Sequence, residues 1–190
     1  MKYIEILRKF QEKKIKYFSL QDFQTITDSN YDAARAILQR YKKRGLVINP
    51  KKGFYFFKDY SPGEYELANR LYHPSYVSME TVLAKQGIIP ETIYPIISVT
   101  TKPTRKFTCQ NQEYIYHKIK TKAFTGYVKK EGCLVAEVEK AVADYLYFIA
   151  LGQKNLNDRI NLKNINKPQL VQYGELFQNP KLLNLIDKYA

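Results

Sequence analysis

Over the first 60 residues, apolar positions recur at helical spacing in three stretches before giving way to two short continuous runs. In "MKYIEILRKFQEKKI", Ile4, Leu7, Phe10 and Ile15 predict one stripe, with Lys9, Lys13 and Lys14 on the solvated side. "SLQDFQTIT" opens on Ser19 with Asp22 three positions later, which predicts a capping box ahead of Leu20, Phe23 and Ile26. Ser29 and Asp32 repeat that form and predict the start of a third helix. Its packing face is Ala34, Ile37, Leu38 and Tyr41, at i, i+3, i+4 and i+7. Projection at about 100° per residue places Asp32, Ala36, Gln39 and Lys43 opposite that face, flanked by Arg35 and Arg40. Gly45 stands where a helix end takes a left-handed residue. "LVIN" and "FYFF" then flank "PKKG", predicting a strand pair whose turn carries Lys51 and Lys52.

Beyond residue 60 the pattern becomes mixed. Pro62 and Gly63 punctuate a linker, so the expected division is residues 1–60 and 61–190. Ser78 is placed to cap a helix that runs to Lys85 and stops at Gly87. "IYPIISVTT" reads as a strand, and "RKFTCQ" and "EYIYHKI" flank "NQ" as a hairpin, with another strand near "AFTGYVKK". "EVEKAVADYLYFIALG" predicts a long helix, with Val138, Ala141, Val142, Tyr145, Leu146 and Ile149 inward. Further helices follow, broken by Pro168 and Pro180. The fold class expected is α+β, with a helix–helix–turn–helix–hairpin front, a mixed rear domain and C-terminal helices.

Composition sharpens this picture. The chain is 45% hydrophobic and 14% aromatic, enough to pack a core and unlike a disordered segment. Its formal charge of +13 favours an anionic partner. Residues 1–60 hold 14 Lys/Arg against 6 Asp/Glu, and residues 61–190 hold 17 against 12, so the basic excess concentrates at the front. No long apolar run predicts a membrane span, and the N-terminus lacks the apolar segment of a signal peptide. The two cysteines, Cys109 and Cys133, form no CxxC pair and suit a reducing cytoplasm.

The front layout is that of a winged helix-turn-helix. The expected partner is double-stranded DNA, with Ser29, Tyr31, Arg35, Gln39, Arg40 and Lys43 on the reading helix. Lys51 and Lys52 on the wing would meet backbone phosphates. Arg105, Lys106, Lys118, Lys120 and Lys122, with Tyr114 and Tyr116 between them, would form a second basic face for RNA or flanking DNA.

"PSYVSMETVLAKQGIIPE", "ISVTTKPTRKF" and "VAEVEKAVADYLYF", in that order, resemble the core of the AbiEi-type antitoxin family. With the front third included, the resemblance covers nearly the whole chain. It implies a transcriptional autoregulator acting on its own promoter, and an antitoxin of a type IV toxin–antitoxin or abortive-infection system. The implied functional partner is a nucleotidyltransferase-like toxin.

Candidate chemistry is sparse. Glu137, Lys140 and Asp144 fall at i, i+3 and i+7 and read as helix-surface ion pairs of about 0.3 kcal/mol each. The alternative is a metal site of two carboxylates and a lysine, with Glu80 lying elsewhere in the chain, in a nuclease targeted by the winged helix. A regulator whose rear domain senses a ligand is the other alternative. His73 and His117 have no Cys or His at metal-ligand spacing. No catalytic group, metal or cofactor is expected.

Overall fold

The computed structural model describes residues 2–190. The chain divides at Gly63 and Glu64 into two compact units. In the first, α1 (Tyr3–Glu12), α2 (Leu20–Thr27) and α3 (Tyr31–Lys43) precede an antiparallel pair, β1 (Val47–Lys51) and β2 (Phe54–Phe57).

Helix α1 does not bury the stripe its apolar residues suggest. Ile6, Leu7 and Phe10 are inside, whereas Ile4 is 51% exposed. Tyr3 takes the inward position one turn ahead, its ring edge-on to Tyr41 and Phe57 with centroids 5.3 and 5.8 Å away. The helix ends at Glu12, so Ile15 packs on the core from outside it. Helix α2 carries the expected capping box: Ser19 Oγ accepts from the Asp22 amide at 3.1 Å, and Asp22 accepts from the Ser19 amide at 2.8 Å.

The start of α3 differs from the expected Ser29 cap. Asn30 is the cap, its Oδ1 accepting from the Ala33 amide at 2.9 Å, while the Ser29 hydroxyl turns to Thr27 at 2.7 Å. At the far end Gly45, with φ +68°, donates to the Lys42 carbonyl and lets Leu46 donate to the Tyr41 carbonyl. These paired bonds satisfy carbonyls that the helix end would orphan.

In the hairpin Lys51 belongs to β1 and pairs with Phe54, so the turn tip is Lys52–Gly53. Pro50 offers the ladder no N–H. Asn49 compensates, its side-chain amide donating to the carbonyls of Lys51 (2.6 Å) and Phe54 (2.8 Å). Phe18, between α1 and α2, makes a two-way backbone bridge to Tyr55 on the other edge of β2. Phe10 sits at the centre of the core, with Phe18, Phe23 and Phe57 rings 4.6 to 6.0 Å away.

The second unit is mixed α and β. Helix α4 (Glu64–Leu71) leads to β3 (Ser75–Val77), α5 (Met79–Lys85), β4 (Ile96–Thr100), β5 (Arg105–Cys109) and β6 (Gln112–Lys118). After them come β7 (Tyr127–Lys130), β8 (Cys133–Ala136), α6 (Val138–Ala150), α7 (Lys167–Glu175) and α8 (Pro180–Tyr189). One six-stranded sheet has the order β5-β6-β4-β3-β8-β7, with β3/β8 and β4/β6 parallel and the other pairs antiparallel.

Paired residues share a sheet face. Tyr116 and Ser98 face α4, where the Tyr116 hydroxyl donates to the Ala68 carbonyl at 2.6 Å. Tyr76 and His117 face α6, where they meet Asp144 and Phe148. Helices α7 and α8 pack outside α6.

Several expectations shift here. Strands β3 and β8 lie where none was expected. The β5–β6 turn is Gln110–Asn111, both at positive φ, one residue earlier than "NQ". Ser78 precedes α5 without a side-chain cap bond, because its hydroxyl is committed to Asp144. Pro168 and Pro180 start α7 and α8 instead of breaking helices, since a first-turn N–H has no helical acceptor anyway.

Candidate nucleic-acid interface

Helix α3 presents a polar face by elimination. Ala34, Leu38 and Tyr41 are buried, which turns Asp32, Arg35, Ala36, Gln39, Arg40 and Lys43 to solvent. Arg35, Arg40, Lys43 and Lys52 form no ion pair among the described residues. Arg40 does lean on its neighbour, the guanidinium 5.7 Å from the Tyr41 ring centre. Asp32 is the one carboxylate on this face and sits in the first turn, where it complements the helix dipole.

Tyr31, 54% exposed, opens α3 and closes one end of a shallow groove of about 500 Å³. Leu20, Gln21, Gln24 and Thr25 of α2 supply its other walls. Sequence reasoning missed Gln21, Gln24 and Thr25, although the Ser19–Asp22 box together with inward Phe23 fixes the phase of their polar side, while Leu20 also packs on the core. Ser29 is the candidate whose hydroxyl is turned away from solvent, shared with Thr27.

The hairpin adds two cations of different character. Lys51 is half-buried, its ammonium 5.4 Å from the Phe54 ring, which stacks on Tyr17 at 5.7 Å. Lys52 is exposed at the tip. Lys42 ties the end of α3 to the hairpin through Asn49 Oδ1 at 3.4 Å. The helix face and the hairpin are therefore joined by a side-chain bond as well as by the core.

The other basic set does not share one face. Arg105 pairs with Tyr116 and lies on the α4 side of the sheet, as does Lys118, which pairs with Thr100. Lys106 lies on the opposite side, in an ion pair with Glu113. The Lys120 ammonium donates to the Phe177 carbonyl at 2.6 Å, and Lys122 is exposed in a short helical turn.

The Glu137, Lys140 and Asp144 series is not surface decoration. Lys140 and Asp144 are both completely buried and form an ion pair with each other. Asp144 also accepts from Ser78 Oγ at 2.7 Å and from the Tyr76 hydroxyl at 3.1 Å. The Lys140 ammonium sits 4.7 Å from the Phe177 ring centre. Burial pushes Lys140 down and Asp144 up from their ordinary values, while their attraction pulls both back toward the charged forms.

Gly126, at φ +72°, is the close approach beside this pair; a Cβ there would stand 2.7 Å from the Tyr173 ring and 2.9 Å from Lys140 Cγ. Glu137 accepts from Tyr173 and from Gln169, the latter at 3.0 Å, and Glu80 pairs with Lys154. No three His, Cys, Asp or Glu side chains converge among the described residues. Burial raises the Cys109 thiol and lowers His117, which packs on Phe148 at 4.9 Å. No described helix is long and apolar enough to cross a membrane.

No protein-family model matches the chain. A comparison with curated proteins likewise finds no match.

Proposed function

We propose that residues 1–60 are a winged helix-turn-helix that binds double-stranded DNA at the chain's own promoter, and that the protein is a cytoplasmic transcriptional autoregulator. The observation that carries this is the outward face of α3, where Arg35, Gln39, Arg40 and Lys43 stand exposed beside the hairpin tip at Lys52. A helix of this kind enters a major groove about 12 Å wide by its leading end, here Tyr31 and Arg35. Arg35 suits a guanine edge and Gln39 an adenine edge. The bridge from Phe18 to Tyr55 supports the reading, because it anchors the wing to the segment between α1 and α2.

The AbiEi-type resemblance of residues 73–148 supports a second role for residues 61–190, as an antitoxin opposing a nucleotidyltransferase-like toxin. The burial of Asp144 disfavours the nuclease alternative, since a metal-bound water there would have no path to a phosphodiester. A promoter–reporter assay with and without the chain tests the regulator; co-expression with a nucleotidyltransferase-like toxin, driven from an unrelated promoter, tests the antitoxin. Repression abolished in Arg35→Ala with toxin protection kept is the expected pattern. No repression by the parent chain removes the regulator, and no protection removes the antitoxin.

A further inference from the structure

At one end of the six-stranded sheet lie three cations, Lys102 between β4 and β5, Arg105 on β5 and Lys118 at the end of β6. Lys102, Arg105 and Lys118 are exposed and form no ion pair among the described residues. Lys102 and Arg105 both stand over Tyr72, at 5.6 and 5.9 Å from its ring centre, and Arg105 also stands 5.6 Å from Phe107. Tyr72, Phe107 and Tyr116 contact one another with centroids 5.3 to 5.9 Å apart.

The loop that carries Lys102 is pinned at three points. The Tyr72 hydroxyl donates to the Pro103 carbonyl at 3.0 Å, the Lys102 amide donates to Thr100 Oγ1 at 3.2 Å, and the Lys118 amide donates to Thr104 Oγ1 at 3.1 Å. The backbone that carries the cations is thus held in place before any partner arrives, which lowers the ordering cost of binding.

We infer that Lys102, Arg105 and Lys118, with Tyr72 and Phe107, form a binding surface for single-stranded nucleic acid, separate from the duplex-reading face of α3. Unneutralised cations interleaved with half-buried aromatic rings fit a phosphodiester backbone whose bases can stack. The half-buried rings favour one strand over two, because the bases of a duplex are already stacked on one another. Arg105 lies opposite Tyr116, and Lys118 is two residues further along β6, about 7 Å away at strand rise. That spacing suits neighbouring phosphates along a strand. An acidic peptide would use the cations and leave the rings without a role.

The test is a fluorescence titration of the full chain with labelled 12-nucleotide oligo(U) and oligo(dT) at several salt concentrations. Lys102→Ala/Arg105→Ala/Lys118→Ala should weaken binding about tenfold or more and make the log–log salt slope shallower by about 2, at roughly 0.7 per neutralised phosphate of a single strand. Lys129→Ala/Lys130→Ala, exposed on the far edge strand β7, removes two cations and should change affinity less than twofold. Arg35→Ala/Lys52→Ala should leave oligonucleotide binding intact, so the operator reading can fail independently. If the triple variant misfolds by circular dichroism, Arg105→Ala alone should still lower the slope by about 0.7. The inference is overturned if the parent binds neither oligonucleotide, if the site variants bind like the parent, or if the β7 variant is weakened as much.

Discussion

The Lys140 ammonium meets the Asp144 carboxylate one helical turn away, with both side chains completely buried in the second unit. Ser78 and Tyr76 both donate to the other carboxylate oxygen of Asp144, joining α6 to β3 and to the residue that follows it. Taking one partner away strands a charge in an apolar interior. Asp144→Ala should therefore destabilise the second unit by about 3–5 kcal/mol, and Asp144→Asn should also be costly because Lys140 loses its counter-ion. Replacing both, as in Lys140→Met/Asp144→Leu, should cost less than Asp144→Ala alone. Urea unfolding followed by circular dichroism checks the order; equal stability of Asp144→Ala and the parent would contradict it.

His117 gives a pH dependence with a defined sign. Burial against Phe148, with Lys154 nearby, lowers its folded-state value below the ordinary 6.5. The facing carboxylate of Glu80 opposes this, and Lys154 is paired with that carboxylate. A group depressed on folding contributes stability above its unfolded value and loses it as pH falls through the folded one. Acidification from about pH 7.5 to about 5 should thus lower the urea midpoint of the parent. His117→Phe, which cannot charge, should flatten the part of that fall due to this group; an unchanged slope would remove the assignment.

The cap of α3 separates two neighbouring residues that look equivalent in the sequence. Asn30→Ala removes the acceptor for the Ala33 amide and should cost about 0.5–2 kcal/mol in the first unit. Ser29→Ala leaves the cap and removes only the bond to Thr27, so it should cost less. Thermal unfolding of the two variants compares them directly, and a larger loss of stability for Ser29→Ala would reverse the assignment.

These residues also mark what the sequence could and could not convey. Helix α3 was legible because Ala34, Leu38 and Tyr41 keep one phase and Gly45 ends it, so its polar face followed by projection. Helix α1 was not, since Ile4 is apolar but out of phase, while Tyr3 supplies both a ring for the core and a hydroxyl for Asp59 at 3.0 Å. Lys140 and Asp144 have the i, i+4 spacing of a surface pair; the contrary signal was "AVADYLYFIA", apolar around the whole helix. Strands β3 and β8 are only three and four residues long, too short for alternation to register. The Lys102–Arg105–Lys118 grouping depends on sheet register, which sends Lys106 to the other face.

The central claim is that α3 reads DNA sequence while the hairpin holds backbone. It is tested most directly by titrating the full chain with its own promoter duplex and with a scrambled duplex, across several salt concentrations. Arg35→Ala should shrink the preference for the promoter by about 1–3 kcal/mol, a factor of about ten or more, while leaving scrambled-duplex binding nearly unchanged. Lys51→Ala/Lys52→Ala should weaken both duplexes alike and make the log–log slope shallower by about 0.9 for each phosphate that the hairpin no longer neutralises. Parent-like affinity, preference and slope in both variants would contradict the account.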